Sequence, residues 1–441
     1  MPTTHRAVAC TVCGCVCDDL VVDVASDGHI TPRSGACWLA KPWFDSLNAA
    51  HPAHATVKDN PVSLDVALDR AAEILRHSKA PLLYGLSRST TEGQRAATAL
   101  ADRLGATIDT TASTGHAPSI LALQQVGEST CTLGEVKQRA DLVIFWGCDP
   151  ATTHPRHIER YCPPKAGRTI VVVDQQRTET AKQADDFYQV EPGSDWNVLW
   201  NLRLGLQGHA MASTQFEPLL AKMKACKFGI IFFGGGLIRG ELAHRTIEAL
   251  LQLVTDLNLH TRFYARRMRR YGDVAGADSV LAWQTGYPFA VDFSAGYPRY
   301  NPGETSGPER LARREVDAAV LIGSEAVQDF SDKALSHLRS IPVIRLDSPG
   351  VRCPVPTEVS FTTAVYGVHR PGTAYRMDEI AIPLRVLSDT EYPSDAEVLE
   401  GIHRRLKTPS PPAPLPQSRE RGGKKKLSPG SAGEGGCAAT G

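Results

Sequence analysis

Five cysteines fall within residues 10–37, and four of them have the spacing of a metal site, Cys10-x2-Cys13-x3-Cys17-x19-Cys37. Three close thiolates and a distant one can wrap a cubane 4Fe–4S cluster. Structural zinc more often draws on two well-separated pairs. A reduced Cys-rich turn without metal is the third reading that the spacing leaves open. Cys15 sits between the ligands as a spare. A second group of candidates lies where apolar runs end. TIVVVD closes on Asp174, a carboxylate suited to a ribose or guanine contact, and DLVIFWG closes on Gly147, followed by Cys148, Asp149 and Pro150. Doubly wound folds bind ligands beyond the carboxyl ends of their strands, although ordinary strand-to-helix turns have the same composition.

The elements that must position these residues are legible as periodicity. Residues 1–55 form a Cys-rich head with alternating apolar residues (LVVDV), which fits a small β-rich cluster module. From 56 to 407, short apolar runs alternate with helical patterns. The runs are PLLYGL (81–86), DLVIFWG (141–147), TIVVVD (169–174), GIIFFGGG (229–236), AAVLIGS (318–324) and PVIRLD (342–347). Glu92–Leu104 and Glu241–Leu257 carry apolar residues at i, i+3, i+4. Continuous apolar strands imply parallel sheets covered on both faces. The expected fold class is therefore α/β, with two or more doubly wound αβα layers. From 408 to 441 the chain turns rich in Pro, Gly, Ser and Lys. Such a segment buries too little apolar surface to offset its chain entropy and is expected to be disordered.

The chain has 441 residues, 42% of them hydrophobic, which is ample for a large core. Lys plus Arg and Asp plus Glu balance at 48 each. Bulk charge thus gives no support to a nucleic-acid or anionic-membrane role. No apolar stretch approaches a membrane span, and the N-terminus lacks a signal-peptide core. A cytoplasmic protein is expected, in which clustered cysteines suggest metal rather than disulfides. The six remaining cysteines are scattered, and most read as small core residues.

Several phrases, in order, resemble one family. CTVCGCVCDDL with GACWLAKPWF is similar to the cluster-binding head of the B-type subunits of formylmethanofuran dehydrogenase, members of the molybdopterin oxidoreductases. TASTGHAPSILALQQVG, WGCDPATTHPRH, VVVDQQRTETAKQAD, IIFFGGGL, GYPRYNPGE, LIGSEAVQDF and GTAYRMDEIAIPLRVL continue the match over roughly residues 8 to 406. The resemblance implies formate dehydrogenase-like αβα domains, with the pterin-binding barrel on a separate subunit.

One departure bears on function. The family's active-site phrase resembles Cys-His-Gly-Pro-Ser, whose first residue ligates tungsten or molybdenum. Here it reads Gly115-His116-Ala117-Pro118-Ser119, and a glycine supplies no ligand. His116 is kept, and Arg299 in GYPRYNPGE resembles the arginine that would face a substrate carboxylate. Both are expected to line a vestigial catalytic pocket. After Asp174 the family's Pro-Arg is replaced by Gln175-Gln176-Arg177, and Asp149 stands where Asn is usual. Negative charge near a pyrophosphate is unfavourable, so molybdopterin and tungsten are expected to be absent and Asp174, Gly147 and Asp149 to be remnants of a cofactor site. The resemblance then implies a non-redox, B-type component of a bacterial formyltransferase/hydrolase complex in one-carbon metabolism. Its partners would be A-, C- and D-type subunits, and the complex would handle a methanofuran-like carrier. The alternative is an active tungsten or molybdenum subunit interconverting CO2 and formate or formylmethanofuran.

Overall fold

The computed structural model of the protein describes residues 2–49, 52–240 and 242–406. The expected disorder of the tail beyond 407 lies outside the described residues. Two parallel-centred sheets, each covered on both faces by helices, form the α/β body.

The larger sheet has nine strands, the middle five parallel: Thr107–Thr110, Pro81–Gly85, Ala318–Ile322, Val343–Asp347 and Val359–Thr362. The smaller has five, in the order Asp186–Gln189, Thr169–Asp174, Leu142–Trp146, Phe228–Phe233 and Arg262–Arg267, all parallel. The six apolar runs supply six of these strands. Leu142–Trp146 and Phe228–Phe233 are buried at every position, as strands covered on both faces must be. Alternation assigns their side chains. Ile144, Val171 and Ile231 face the helices Asp195–Leu206 and Ala243–Leu257. Val143, Phe145, Val172 and Phe232 face the other way.

The second face of the smaller sheet is covered by the helices Leu133–Arg139 and His157–Tyr161 together with the Cys-rich head. The head's antiparallel strands Thr3–Val8, Leu20–Val24 and Ile30–Ser34 precede the helix Ala40–Ala49. Val8, Leu20, Val22 and Phe44 share one core with Phe145, Val172 and Phe232. The head is thus not an independent module, because its apolar residues are completed by the sheet beneath it.

The smaller sheet is inserted within the larger. The chain leaves the larger sheet after Thr110, builds the smaller one from 142 to 267, and returns through the helix Val274–Thr285 to Val291–Asp292. In both sheets the strand order reverses about one strand pair. In the larger sheet it lies between Pro81–Gly85 and Ala318–Ile322, and in the smaller between Leu142–Trp146 and Phe228–Phe233. Such switch points open a crevice at the strands' carboxyl ends. No helix among the described residues is long and apolar enough to cross a membrane.

Candidate functional site

The two crevices have different fates. In the larger sheet Arg88 fills the crevice. Its Nε donates to Glu325 Oε1 at 2.5 Å, and its Nη1 donates to the carbonyls of Thr11 and Val12 at 2.6 and 2.8 Å. One guanidinium thereby ties the switch point to the cysteine loop. In the smaller sheet the crevice stays open and forms part of a cavity of about 1410 Å³.

The cysteine loop, residues 9–19, joins the first two strands of the head. Cys10, Cys13, Cys15 and Cys17 are buried, and Cys37, just ahead of the head's helix, is partly buried; all are free thiols. The Cys10 amide donates to the Cys17 carbonyl at 2.7 Å, and the Val16 amide to the Cys13 carbonyl at 3.0 Å, so the loop curls with its thiols inward. Burial pushes the Cys10 thiol up, reinforced by charge on Cys13, Cys17 and Cys37. Cys17 is pushed up to about 11, again mainly by burial, against the pull of Arg160. A hydrogen bond from Cys15 holds Cys13 below the ordinary thiol range, and the same contact pushes Cys15 up. Among the described residues no three His, Cys, Asp or Glu side chains are already closed around a single ion. A four-iron cluster is larger than an ion, and the three buried thiols of one loop with the partly buried Cys37 have the chemistry of its donor set. Bound iron would supply electron storage and would hold these thiols deprotonated.

Cys15 has a different neighbour. His157 Nδ1 lies 3.8 Å from its sulfur. The imidazole is boxed by Phe145, Tyr161 and Phe232, with ring centroids at 5.9, 5.6 and 4.7 Å. Burial drives the His157 pKa from 6.5 down to about 3. The unfolded chain therefore takes up this proton near pH 6.5 and the folded chain only near pH 3, so folding stability falls as pH drops between those values. His157→Phe should flatten this acid limb, recovering about 2 kcal/mol at about pH 5 relative to neutral pH. Denaturant unfolding at both pH values checks this. An acid limb as steep as that of the unaltered protein would show that another group sets it.

The cavity is bordered on one side by the segment after Thr107–Thr110. There a short helix, Ala112–Gly115, is followed by His116 and the helix Ala117–Val126. Gly115 is exposed, and a Cβ built on it would meet nothing within 4 Å. A side chain at 115 would thus be tolerated, and the glycine supplies no ligand atom at that point of the wall. His116 is buried, and its Nε2 lies 2.8 Å from Asp278 Oδ2. Asp278 also accepts from Thr110 Oγ1 at 2.8 Å, and Arg269 Nη1 lies 3.9 Å away. Burial lowers the His116 pKa despite the attraction of Asp278, so the ring is neutral at pH 7. With Nε2–H donating to the carboxylate, Nδ1 is left as an acceptor.

The smaller sheet supplies the opposite wall. Gly147 has φ +57, and a Cβ there would come within 2.7 Å of Leu237 Cδ1. Its carbonyl accepts from Gly236 N at 2.7 Å, locking the turn to the Gly234–Gly236 loop. Cys148 borders the cavity but is buried, its thiol 3.4 Å from the Phe232 carbonyl and its pKa raised by burial. Asp149 also lines the cavity. Its carboxylate accepts from Thr180 N at 2.8 Å, Thr180 Oγ1 at 2.5 Å and Thr152 Oγ1 at 3.0 Å, which is a structural tie between two loops. Asp174 lines the far end beside Gln175, Gln176 and the half-exposed Trp196, its pKa raised by burial.

The structure thus gathers Gly115, His116, Gly147, Asp149 and Asp174 around one cavity, and the four spaced cysteines in the head. Arg299 is placed elsewhere and does not line the cavity. It is exposed on a short edge strand, paired with Asp292 and 3.3 Å from Ser294 Oγ. An edge strand held by Asp292 cannot turn its guanidinium inward without losing that ion pair. The arginines bordering the cavity are Arg239, Arg269 and Arg270. Arg269 is buried, with Nε lacking a partner and His154 Nε2 against its carbonyl at 2.7 Å. Arg269 and Asp278 were not singled out from the sequence. Their signals were the arginine-rich RRMRR that ends a strand and a lone acid in the apolar helix VAGADSVLAW.

A doubly wound α/β protein with its cavity at a switch point and glycine loops on the carboxyl side is built to receive an extended, polar ligand. Comparison with known proteins gives the family. The chain is 37% identical over 428 residues to the B-type subunit of tungsten-containing formylmethanofuran dehydrogenase 2 of Methanocaldococcus jannaschii, covering 91% of this chain and 98% of that one. It is 27% identical over 274 residues to the B-type subunit of the formyltransferase/hydrolase complex Fhc of Methylorubrum extorquens, covering 61% of this chain and 74% of that one. A crystal structure of the M. extorquens formyltransferase/hydrolase complex with methylofuran superposes with a TM-score of 0.69 at 25% identity, covering 80% of this chain and 98% of that one. No family model matches. The protein belongs to the family of formylmethanofuran dehydrogenase B-type subunits.

Proposed function

We propose that this chain is a non-redox, structural B-type component of a cytoplasmic formyl-handling assembly that converts a carrier-bound formyl group to formate. The observation that carries this reading is Gly115. It faces the cavity with no neighbour near its Cβ position, at the point where the resemblance calls for a metal-binding cysteine. The thiol that does border the cavity, Cys148, is buried under the Phe232 carbonyl. The residues present therefore do not fit a thiolate-ligated tungsten or molybdenum centre, and no reaction step is assigned to one. Chemistry on the formyl group would belong to partner subunits of A and D type, with a C-type subunit completing the assembly and a methanofuran-like molecule as carrier. The head fits a 4Fe–4S cluster that serves structure rather than electron flow.

A second reading is favoured by one comparison. Identity to the tungsten-containing relative, 37%, exceeds that to the Fhc relative, 27%. An active subunit interconverting CO2 and formate would then bind its metal without a ligand from residue 115. Substituting His116→Ala in the assembled complex separates the two. The structural reading expects formyl transfer and hydrolysis to remain within about two-fold of normal per assembled complex, since a group that contributes only to packing does not alter transition-state binding. Loss of activity in a complex that assembles normally would overturn it.

A further inference from the structure

We infer that the end of the smaller sheet remote from the cavity is a docking face for an acidic surface of another subunit. The face lies at the amino-terminal ends of Phe228–Phe233 and Arg262–Arg267, whereas the glycine loops and the cavity lie at the carboxyl ends. It is a shallow depression of about 770 Å³ bordered by Arg139, Lys224, Lys227, Leu259 and Arg262. All five are exposed, and Leu259, at 85%, is the most exposed large hydrophobic among the described residues.

Two features set this face apart from an ordinary charged surface. The first is unspent charge. The side chains of Lys224, Lys227 and Arg262 make no hydrogen bond or ion pair among the described residues, whereas most arginines of this chain are paired. Arg139 has a 3.9 Å contact with Glu135 and lies over the Phe228 ring. Asp141, the nearest acid at the strand ends, is spent on backbone, accepting from Lys227 N and Phe228 N, each at 2.9 Å. A helix dipole accounts for Lys224, in the last turn of Glu217–Ala225. It accounts for neither Lys227 nor Arg262, which lie on or beside strands.

The second feature is an exposed apolar residue. Leu259 stands unpacked on the turn that follows the helix Ala243–Leu257 and borders the same depression as the four cations. An apolar anchor within a polar rim is the anatomy of a protein interface. The sign of the rim selects an acidic partner, steers its approach and discourages self-association through like charge. The inference rests on the reading of this chain as part of an assembly, and it is independent of whether that assembly does redox chemistry.

The test uses the full chain produced together with its assembly. The triple substitution Lys224→Glu, Lys227→Glu and Arg262→Glu is compared with Leu259→Asp and with the unaltered chain. Partner retention is read by native mass spectrometry. Either variant should weaken retention about ten- to hundred-fold, the triple variant because several rim pairs become repulsive together and Leu259→Asp because it replaces the apolar anchor with a charge of the partner's sign. The unaltered assembly should loosen as salt is raised towards roughly 0.5 M. Unfolding of each isolated variant should match that of the unaltered chain; if the triple variant folds poorly, Lys224→Gln with Lys227→Gln replaces it. Unchanged retention would overturn the inference. So would a homodimer of the isolated chain abolished by Leu259→Asp, or nucleic acid in place of protein on this face. Metal found in an assembly that these variants disrupt would overturn the functional reading and leave the docking face standing.

Discussion

Asp109→Ala is expected to destabilise the protein by about 4 kcal/mol, a large share of the stability of a typical domain. The carboxylate is fully buried at the end of a central strand of the larger sheet. It accepts from the amides of Thr110 and Ala290 at 2.8 Å each and of Gly307 at 2.7 Å, and from Ser113 Oγ at 2.6 Å. Alanine strands three amides in a dry interior. It also frees the segment that presents Gly115 and His116, because Ser113 is its anchor. Asp109→Asn keeps part of the acceptor set and should cost less. Burial raises the Asp109 pKa from 3.8 to about 7. The unfolded side chain ionises near 3.8 while the folded one keeps its proton, so this contribution is complete below pH 3.8 and is lost as pH rises through about 7. The stability difference between the unaltered protein and Asp109→Asn should therefore shrink from acid to neutral pH and then level off. Denaturant melts across that range measure it. A cost for Asp109→Ala below about 1 kcal/mol would show that water replaces the lost acceptor.

Arg88→Ala carries the second large effect. The substitution removes the donor to the Thr11 and Val12 carbonyls and leaves Glu325 without its cation in a mostly buried crevice. Breaking such a pair from one side costs about 3 kcal/mol. The consequence extends to the head, since the loop carrying Cys10, Cys13 and Cys17 loses its tether to the larger sheet. Thiols buried in the unaltered protein should react faster with a thiol reagent, and iron incorporated on reconstitution should fall. Arg88→Lys should not rescue, because a point charge cannot serve three acceptors spread across a planar fork. Unchanged thiol reactivity in Arg88→Ala would show that the smaller sheet alone holds the loop.

Six strands were legible because their residues are apolar on both faces, and the helices 91–104 and 243–257 were legible by period. Thr107–Thr110 was not. It is buried at every position yet polar, because Asp109 and Thr110 are spent on anchoring loops and on Asp278. Val359–Thr362 and Arg262–Arg267 escaped for the same reason, Ser360, Arg266 and Arg267 being satisfied by tertiary partners that local pattern does not show. The site divides in the same way. That Gly115, His116, Gly147, Asp149 and Asp174 border one cavity follows from the strand ends and the family phrase that mark them. Arg299 lies away from this cavity, because a phrase gives sequence position and not the side of the sheet edge on which a guanidinium lies. Asp278, which pairs with His116, and Arg269, 3.9 Å from that carboxylate, meet it only through the return of the chain from the inserted sheet.

The central claim is that a glycine at 115 removes the metal chemistry of the family while the fold is kept. Elemental analysis of the natively purified assembly, paired with an assay of formate-dependent dye reduction, tests it most directly. The expected result is tungsten and molybdenum far below stoichiometry with no dye reduction, in a complex that still transfers and hydrolyses formyl groups. Near-stoichiometric tungsten or molybdenum with formate-dependent dye reduction would contradict it.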